Sequence, residues 1–188
     1  MPYNSKTSAT ELVGELAAEI KGKTILVTGP SPGSIGAEFA EKVAQADPAL
    51  IILAGRNPAK IQPVVDAIKK AKPNVGVRIL ELNLGALSDV RKAAAQVNSW
   101  DDVPTIDVLL NNAGTMAIPY SLSPDGIETQ FATNHIGVFL FTNLIMDKIL
   151  AATNPRVVNV SSSGHRLSAV RFFDHNFAVR PPPVISTS

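Results

Sequence analysis

The chain has 188 residues and no cysteine. That excludes a disulfide framework, a thiolate nucleophile and any cysteine-based zinc site, and it suits a reducing, cytoplasmic setting. Aromatic residues make up only 5% of the chain, and the tyrosines available for acid–base chemistry reduce to Tyr3 and Tyr120. Charge is scarce and balanced: 17 Lys and Arg against 16 Asp and Glu give a formal net charge of +1. No strong field is available to attract nucleic acid or a membrane surface. A long apolar run is also missing. The best candidate, Ile136 to Leu150, is interrupted by Thr142, Asn143, Asp147 and Lys148, too short and too polar to span a bilayer. The polar stretch Met1 to Thr10 has no apolar segment of the kind a signal peptide needs.

What is present is 45% hydrophobic and 18% charged, the balance of a folded globular domain. A helix is predicted over Ser8–Ile20, with Leu12, Leu16 and Ile20 on one stripe. Short apolar runs then alternate with helical spacings. The runs are Thr24–Thr28, Leu50–Ala54, Val75–Leu82, Ile106–Leu110 and Arg156–Val160. Between them, Ile35, Phe39 and Val43 mark one helix. Asn57 and Pro58 read as the cap and first residue of a second, continued by Ile61, Val65 and Ile68. Leu87, Val90, Ala94 and Val97 mark a third, with Ser88 near its start, and a long helix is expected from about Pro124 to Leu150. Apolar on two sides, that long helix needs a second neighbour besides the sheet. Five strands with a helix in each gap imply an α/β fold: a doubly wound parallel sheet in the order 3-2-1-4-5, binding ligands at the carboxyl ends of its strands.

Directly after the first strand stands Thr28-Gly29-Pro30-Ser31-Pro32-Gly33-Ser34-Ile35-Gly36. Gly29 permits a tight exit, Gly33 lets backbone approach a pyrophosphate, and Gly36 lets the helix pack closely on the sheet. The helix start then offers free N–H groups to phosphates. No Gly-Lys-Ser/Thr follows, so this is not a Walker loop. The second strand ends Ala54-Gly55-Arg56-Asn57, without the carboxylate that would accept from the ribose hydroxyls of NAD. Arg56 can instead pair with a 2′-phosphate, which favours NADP(H).

Three more motifs follow in order: Asn111-Asn112-Ala113-Gly114, Asn134-His135-Ile136-Gly137 and Val158-Asn159-Val160-Ser161-Ser162-Ser163. With the glycine loop, the chain resembles the classical short-chain dehydrogenase/reductase family over roughly residues 20 to 177, above all its retinol-dehydrogenase-like and fungal secondary-metabolism members. The resemblance implies a Rossmann-type domain over residues 22–177, while residues 1–21 read as a helical extension and 178–188 as an unstructured tail. It implies a cofactor site formed by Gly29, Ser31, Gly33, Ser34, Ile35, Gly36, Arg56, Asn57, Lys60, Asn83, Leu84, Asn111, Ala113 and Gly114, with Asn111, Ala113 and Gly114 beside the adenosine ribose. Ser162 aligns with the serine that bonds the substrate oxygen, and Asn134 with the asparagine that kinks its helix and holds a relay water. The implied activity is NADP(H)-dependent hydride transfer with a small carbonyl or alcohol substrate.

The sequence departs from the family at three places. Ser34 is an extra residue in the glycine loop, and Asn83 stands where the family usually has an aspartate beside the adenine. The family's Tyr-x-x-x-Lys is absent: Thr7 follows Tyr3 by four residues and Pro124 follows Tyr120. The reading is therefore of a C-terminally truncated member, lacking the family's last strands and helices and impaired in catalysis. A partner or second copy would cover the long helix and the fifth strand. A nucleotide-binding pseudoenzyme or subunit, a non-redox isomerase and a non-functional product stay open as alternatives. No metal site is expected, because His135, His165 and His175 fall on different elements without a carboxylate partner.

Overall fold

The structure, a computed structural model, describes residues 3–4, 6–166 and 168–179. The part of the expected unstructured tail from 180 to 188 lies outside the described residues. The central strands β1 (Thr24–Thr28) and β2 (Leu50–Gly55) are almost wholly buried. This follows from their unbroken apolar sequence, because a parallel strand between two helical layers has no polar face to spend. β3 (Gly76–Glu81), β4 (Val108–Asn111) and β5 (Arg156–Asn159) complete a five-stranded parallel sheet in the order β3-β2-β1-β4-β5.

Alternate strand residues serve opposite faces. Ile25, Val27, Ile51 and Leu53 pack under α3 (Ile35–Ala44) and α4 (Pro58–Ala71). Leu26, Ile52, Leu80 and Leu109 pack under α5 (Leu87–Asn98) and the long helical segment, through Val90, Val97, Phe141 and Ile145. The seam between β1 and β4 is pinned at its amino end by Asp107, which takes the Lys23 ammonium and the Thr24 N–H, each at 2.9 Å. At the sheet's outer edge Arg78 of β3 lies 4.7 Å over the Trp100 ring and pairs with Asp102 at 2.5 Å, holding that carboxyl below its usual range.

The N-terminal helix is two pieces, α1 (Ala9–Glu15) and α2 (Ala17–Ile20), bent at Leu16. Val13 and Ile20 pack against the core while Leu16 stays exposed, so the expected Leu12-Leu16-Ile20 stripe docks through Ile20, with Val13 in place of Leu16. α5 starts without help from Ser88: its N-cap, Ala86, has no side-chain bond, and the Leu87 N–H is taken by Asp125 at 2.9 Å.

The long helix begins later than Pro124. Residues Ser121–Glu128 form a turn closed by a Leu122–Glu128 bridge, with Gly126 at φ +73°. Glu128 then caps α6 (Thr129–Phe131) by accepting from Gln130 N and Phe131 N. A π-helical turn over Ala132–Ile136 leads into α7 (Gly137–Leu144), and a bend at Ile145 leads into α8 (Met146–Leu150). Among the described residues, no helix is long and apolar enough to cross a membrane.

The two ends of the sheet are covered unequally. β5 is exposed along its whole length, with Val157 at 40% and Val158 at 46%, and Phe139 of α7 stands 64% exposed. The β3 end packs closely on α7, where a Cβ at Gly137 would fall on the Leu84 carbonyl oxygen. Replacing Gly137→Ala should therefore cost about 1–3 kcal/mol, as overpacking does. At roughly 2–4 °C per kcal/mol the midpoint of thermal unfolding should drop by several degrees. An unchanged midpoint would mean that α7 shifts freely away from Leu84.

Candidate functional site

The site grows from the carboxyl end of the β1–β4 seam. The Thr28 hydroxyl accepts from Asn112 N and Ala113 N, both at 3.0 Å, and lies 3.4 Å from Leu110 O as donor. Asn112 returns its amide to Thr28 O at 2.9 Å and Gly29 O at 3.3 Å. These bonds press the two loops together. Gly29 has φ +71°, and a Cβ there would come within 2.8 Å of the Ala113 Cα. Both the conformation and the contact require glycine.

Ser34, the extra residue of the loop, caps α3: its hydroxyl accepts from Ala37 N at 3.2 Å and donates to Gly29 O at 3.3 Å. The N–H groups of Ile35 and Gly36 in the first turn have no acceptor within the helix. They and the positive end of the helix dipole are offered to an anion.

Around this loop opens a cleft of about 760 Å³. Of the expected cofactor residues, Gly29, Ser31, Ser34 and Ile35 line it from the first loop. Arg56, Asn57 and Lys60 line it from the β2 end, Leu84 from the β3 end, and Ala113 and Gly114 from the β4 end. Gly33, Gly36, Asn83 and Asn111 are not among its lining. Gly33 shapes the turn with φ +75°, and Gly36 lies behind Asn112. The Asn83 amide is spent on Gly85 N and Asp89. Asn111 donates to Thr142 and Asn159 on the β5 side, leaving its Oδ1 buried without a partner.

The cleft also takes in Ile61, Leu82, Asn112, Thr115 and Thr133, which sequence reasoning did not single out for the site. Ile61 and Leu82 read as core, and nothing in their spacing signals that each also shows a face to the cleft.

The lining is electrostatically one-sided. Among the described residues Arg56 and Lys60 are its only charged side chains, and no carboxylate lines it. Asn57 caps α4 through the Lys60 N–H at 3.3 Å, which ties both flanking cations to one rigid helix start. The donor set, the open first turn of α3 and the apolar wall of Ile61, Leu82 and Leu84 fit a phosphate-bearing nucleotide.

The two expected catalytic residues lie elsewhere. Asn134 sits in the π-helical turn and pairs with the Thr115 backbone, accepting from its N–H at 2.8 Å and donating to its carbonyl at 2.7 Å. It borders a second hollow of about 340 Å³ between α7 and β5, with Asn111, Thr142, Asn159 and Ser161. Ser162 is exposed, accepts from Gly164 N at 3.1 Å, and lines neither hollow. The Tyr120 hydroxyl is tied to Asn176 O at 2.9 Å.

Comparison with known proteins matches residues 23–172 to the family described as short chain dehydrogenase. The chain is 33% identical over 180 residues to the oxidoreductase fscI of Fusarium equiseti, covering 93% of this chain and 69% of that protein. It is 37% identical over 163 residues to retinol dehydrogenase 13 of Homo sapiens, covering 87% of this chain and 48% of that enzyme. It thus spans about half the length of the human relative. A short chain dehydrogenase from Escherichia coli CFT073, solved in complex with NADPH, superposes with a TM-score of 0.63 at 26% identity. That match covers 78% of this chain and 61% of that one.

Replacing Thr28→Val, nearly isosteric, would leave two partly buried N–H groups unpaired where the loops meet. The expected loss is about 1–3 kcal/mol for each group that stays dry, read by chemical denaturation. Unaltered stability would show that water replaces the hydroxyl and that the seam does not depend on it.

Proposed function

The chain belongs to the short-chain dehydrogenase family, and from that premise we propose that its cleft binds NADP(H) in service of hydride transfer between a small carbonyl or alcohol and the nicotinamide. The observation that carries this reading is the pairing of Arg56 and Lys60 at a carboxylate-free lining. A ribose bearing hydroxyls alone calls for an acidic acceptor there, whereas a 2′-phosphate calls for cations. The NADPH complex of the Escherichia coli neighbour supports the same cofactor class.

In this reading Arg56 and Lys60 hold the 2′-phosphate and the α3 start takes the pyrophosphate. Leu82 and Leu84 face the base, and Ala113 and Gly114 approach the adenosine ribose. When bound, the cofactor would supply or accept the hydride. Ser162 would hydrogen-bond the substrate oxygen. Asn134 fixes the loop after β4 through Thr115. The proton has no evident carrier: the sequence holds no Tyr-x-x-x-Lys, and the Tyr120 hydroxyl is occupied by Asn176. A positioned acid–base group contributes about 10²–10⁴-fold to the rate of such a step.

Calorimetric titration tests the reading. NADPH should bind saturably and more tightly than NADH. Arg56→Ala should weaken NADPH by about 10-fold or more, the worth of a charge-assisted pair, and leave NADH unchanged. Equal affinity of the unmodified chain for the two dinucleotides would sink the assignment of Arg56 to a 2′-phosphate.

A further inference from the structure

The stretch after β5 returns to the molecule at a turn remote from it in sequence. Within 171–179 the chain folds on itself: Asp174 N and Phe177 N donate to the carbonyls of Arg171 and Asp174, and Val179 N donates to Asp174 Oδ1 at 3.0 Å. The Arg171 guanidinium lies 4.7 Å over the Phe177 ring, and the His175 ring lies 5.7 Å from that of Phe131. Asn176 makes the polar attachment. Its Oδ1 accepts from Glu128 N at 2.8 Å, its Nδ2 donates to Gly126 O at 2.9 Å, and its own carbonyl accepts from the Tyr120 hydroxyl at 2.9 Å. One side chain thus brackets Gly126 to Glu128, where the chain passes through φ +73° and enters α6.

That bracket carries two supports of the cleft. On one side Asp125 accepts from Leu87 N at 2.9 Å, fixing the start of α5 just beyond the cleft residue Leu84. On the other, Glu128 accepts from Gln130 N and Phe131 N, fixing the start of the helix that runs into the π-helical turn. From that turn Thr133 lines the cleft, its hydroxyl close against Gly85. Asn134 of the same turn pairs with the backbone of Thr115, a further lining residue, and Gln130 holds the loop again by accepting from Ala117 N at 3.0 Å.

We infer that Asn176 is a positioning residue for the cleft: by holding Gly126 to Glu128 it sets the wall of Leu84, Thr115 and Thr133, so that docking of 171–179 and nucleotide binding favour each other. This rests on the NADP(H) reading and adds to it a determinant outside the cleft. The coupling is reciprocal by thermodynamic necessity: whatever factor the docked segment gives to affinity, the ligand returns to docking. A wall ordered beforehand also spares the complex the cost of ordering it.

Calorimetric titration with NADPH and hydrogen exchange, both on the full 188-residue chain, test this. Asn176→Ala should weaken NADPH by about 5-fold or more, the lower range of such couplings. Tyr120→Phe, at an exposed position, should weaken it by about 2-fold or more, the worth of one hydrogen bond, and it decides the matter if Asn176→Ala does not fold. Asp102→Asn, which loosens the pair with Arg78 at the sheet's outer edge, should bind as the unmodified chain does. In the unmodified chain NADPH should slow exchange over 171–179 as well as 121–131. Exchange there proceeds by local opening, which a ligand slows when it favours the docked state and leaves alone when the segment is mere structure. Unchanged affinity in folded Asn176→Ala chain, exchange over 171–179 indifferent to NADPH, or an equal weakening by Asp102→Asn would each overturn the inference and leave the NADP(H) reading intact. Absence of NADPH binding by the folded, unmodified chain would remove both.

Discussion

Everything at the site hangs on the seam between β1 and β4. Asp107 clamps it at one end through Lys23 and Thr24, and the Thr28 hydroxyl clamps it at the other through Asn112 and Ala113. The clamp at the carboxyl end does more than join strands. It brings the glycine loop against Ala113, which fixes where α3 begins and therefore where its free N–H groups aim. A doubly wound sheet reverses its winding at this seam, and the two loops that diverge there leave the crevice that ligands occupy. In this molecule the crevice is held open by side-chain hydrogen bonds rather than by loop length.

The sheet was legible because its physics is local. A strand covered on both faces must be apolar throughout, and β1 and β2 are. The glycine loop was legible for a related reason, since position after a strand and spacing within the loop carry the meaning. The start of the long helix was not. Pro124 and Ile127 continue its apolar period, yet the chain turns there and enters the helix only at the Glu128 cap. That turn is held by Asn176, which bonds Glu128 N and Gly126 O from 48 and 50 residues away. The cap of α5 escaped for the same reason, because Asp125 supplies it from 38 residues downstream.

Side-chain direction was the other loss. Asn111 and Asn83 stand in the right stretches of sequence, but their amides are claimed by Thr142 and Asn159 in one case and by Gly85 and Asp89 in the other. A motif fixes which backbone lies near a site. It does not fix which way a short amide turns once competing partners exist. Among the described residues no side chain competes for Arg56 or Lys60, and both line the cleft.

The separation of β1 from its partner β4 also bears on how the chain is made. Thr28 and Asn112 are 84 residues apart. At about 5–20 residues per second on the ribosome, the interval between their synthesis is on the order of 4 to 17 seconds. Until β4 follows, the innermost strand of the finished sheet has an open edge, and from the synthesis of β2 onward β2 is the one neighbour it can pair with. An open apolar edge is a template for pairing with other chains. The same seam that organises the finished crevice is thus a long-exposed edge while the protein is being made.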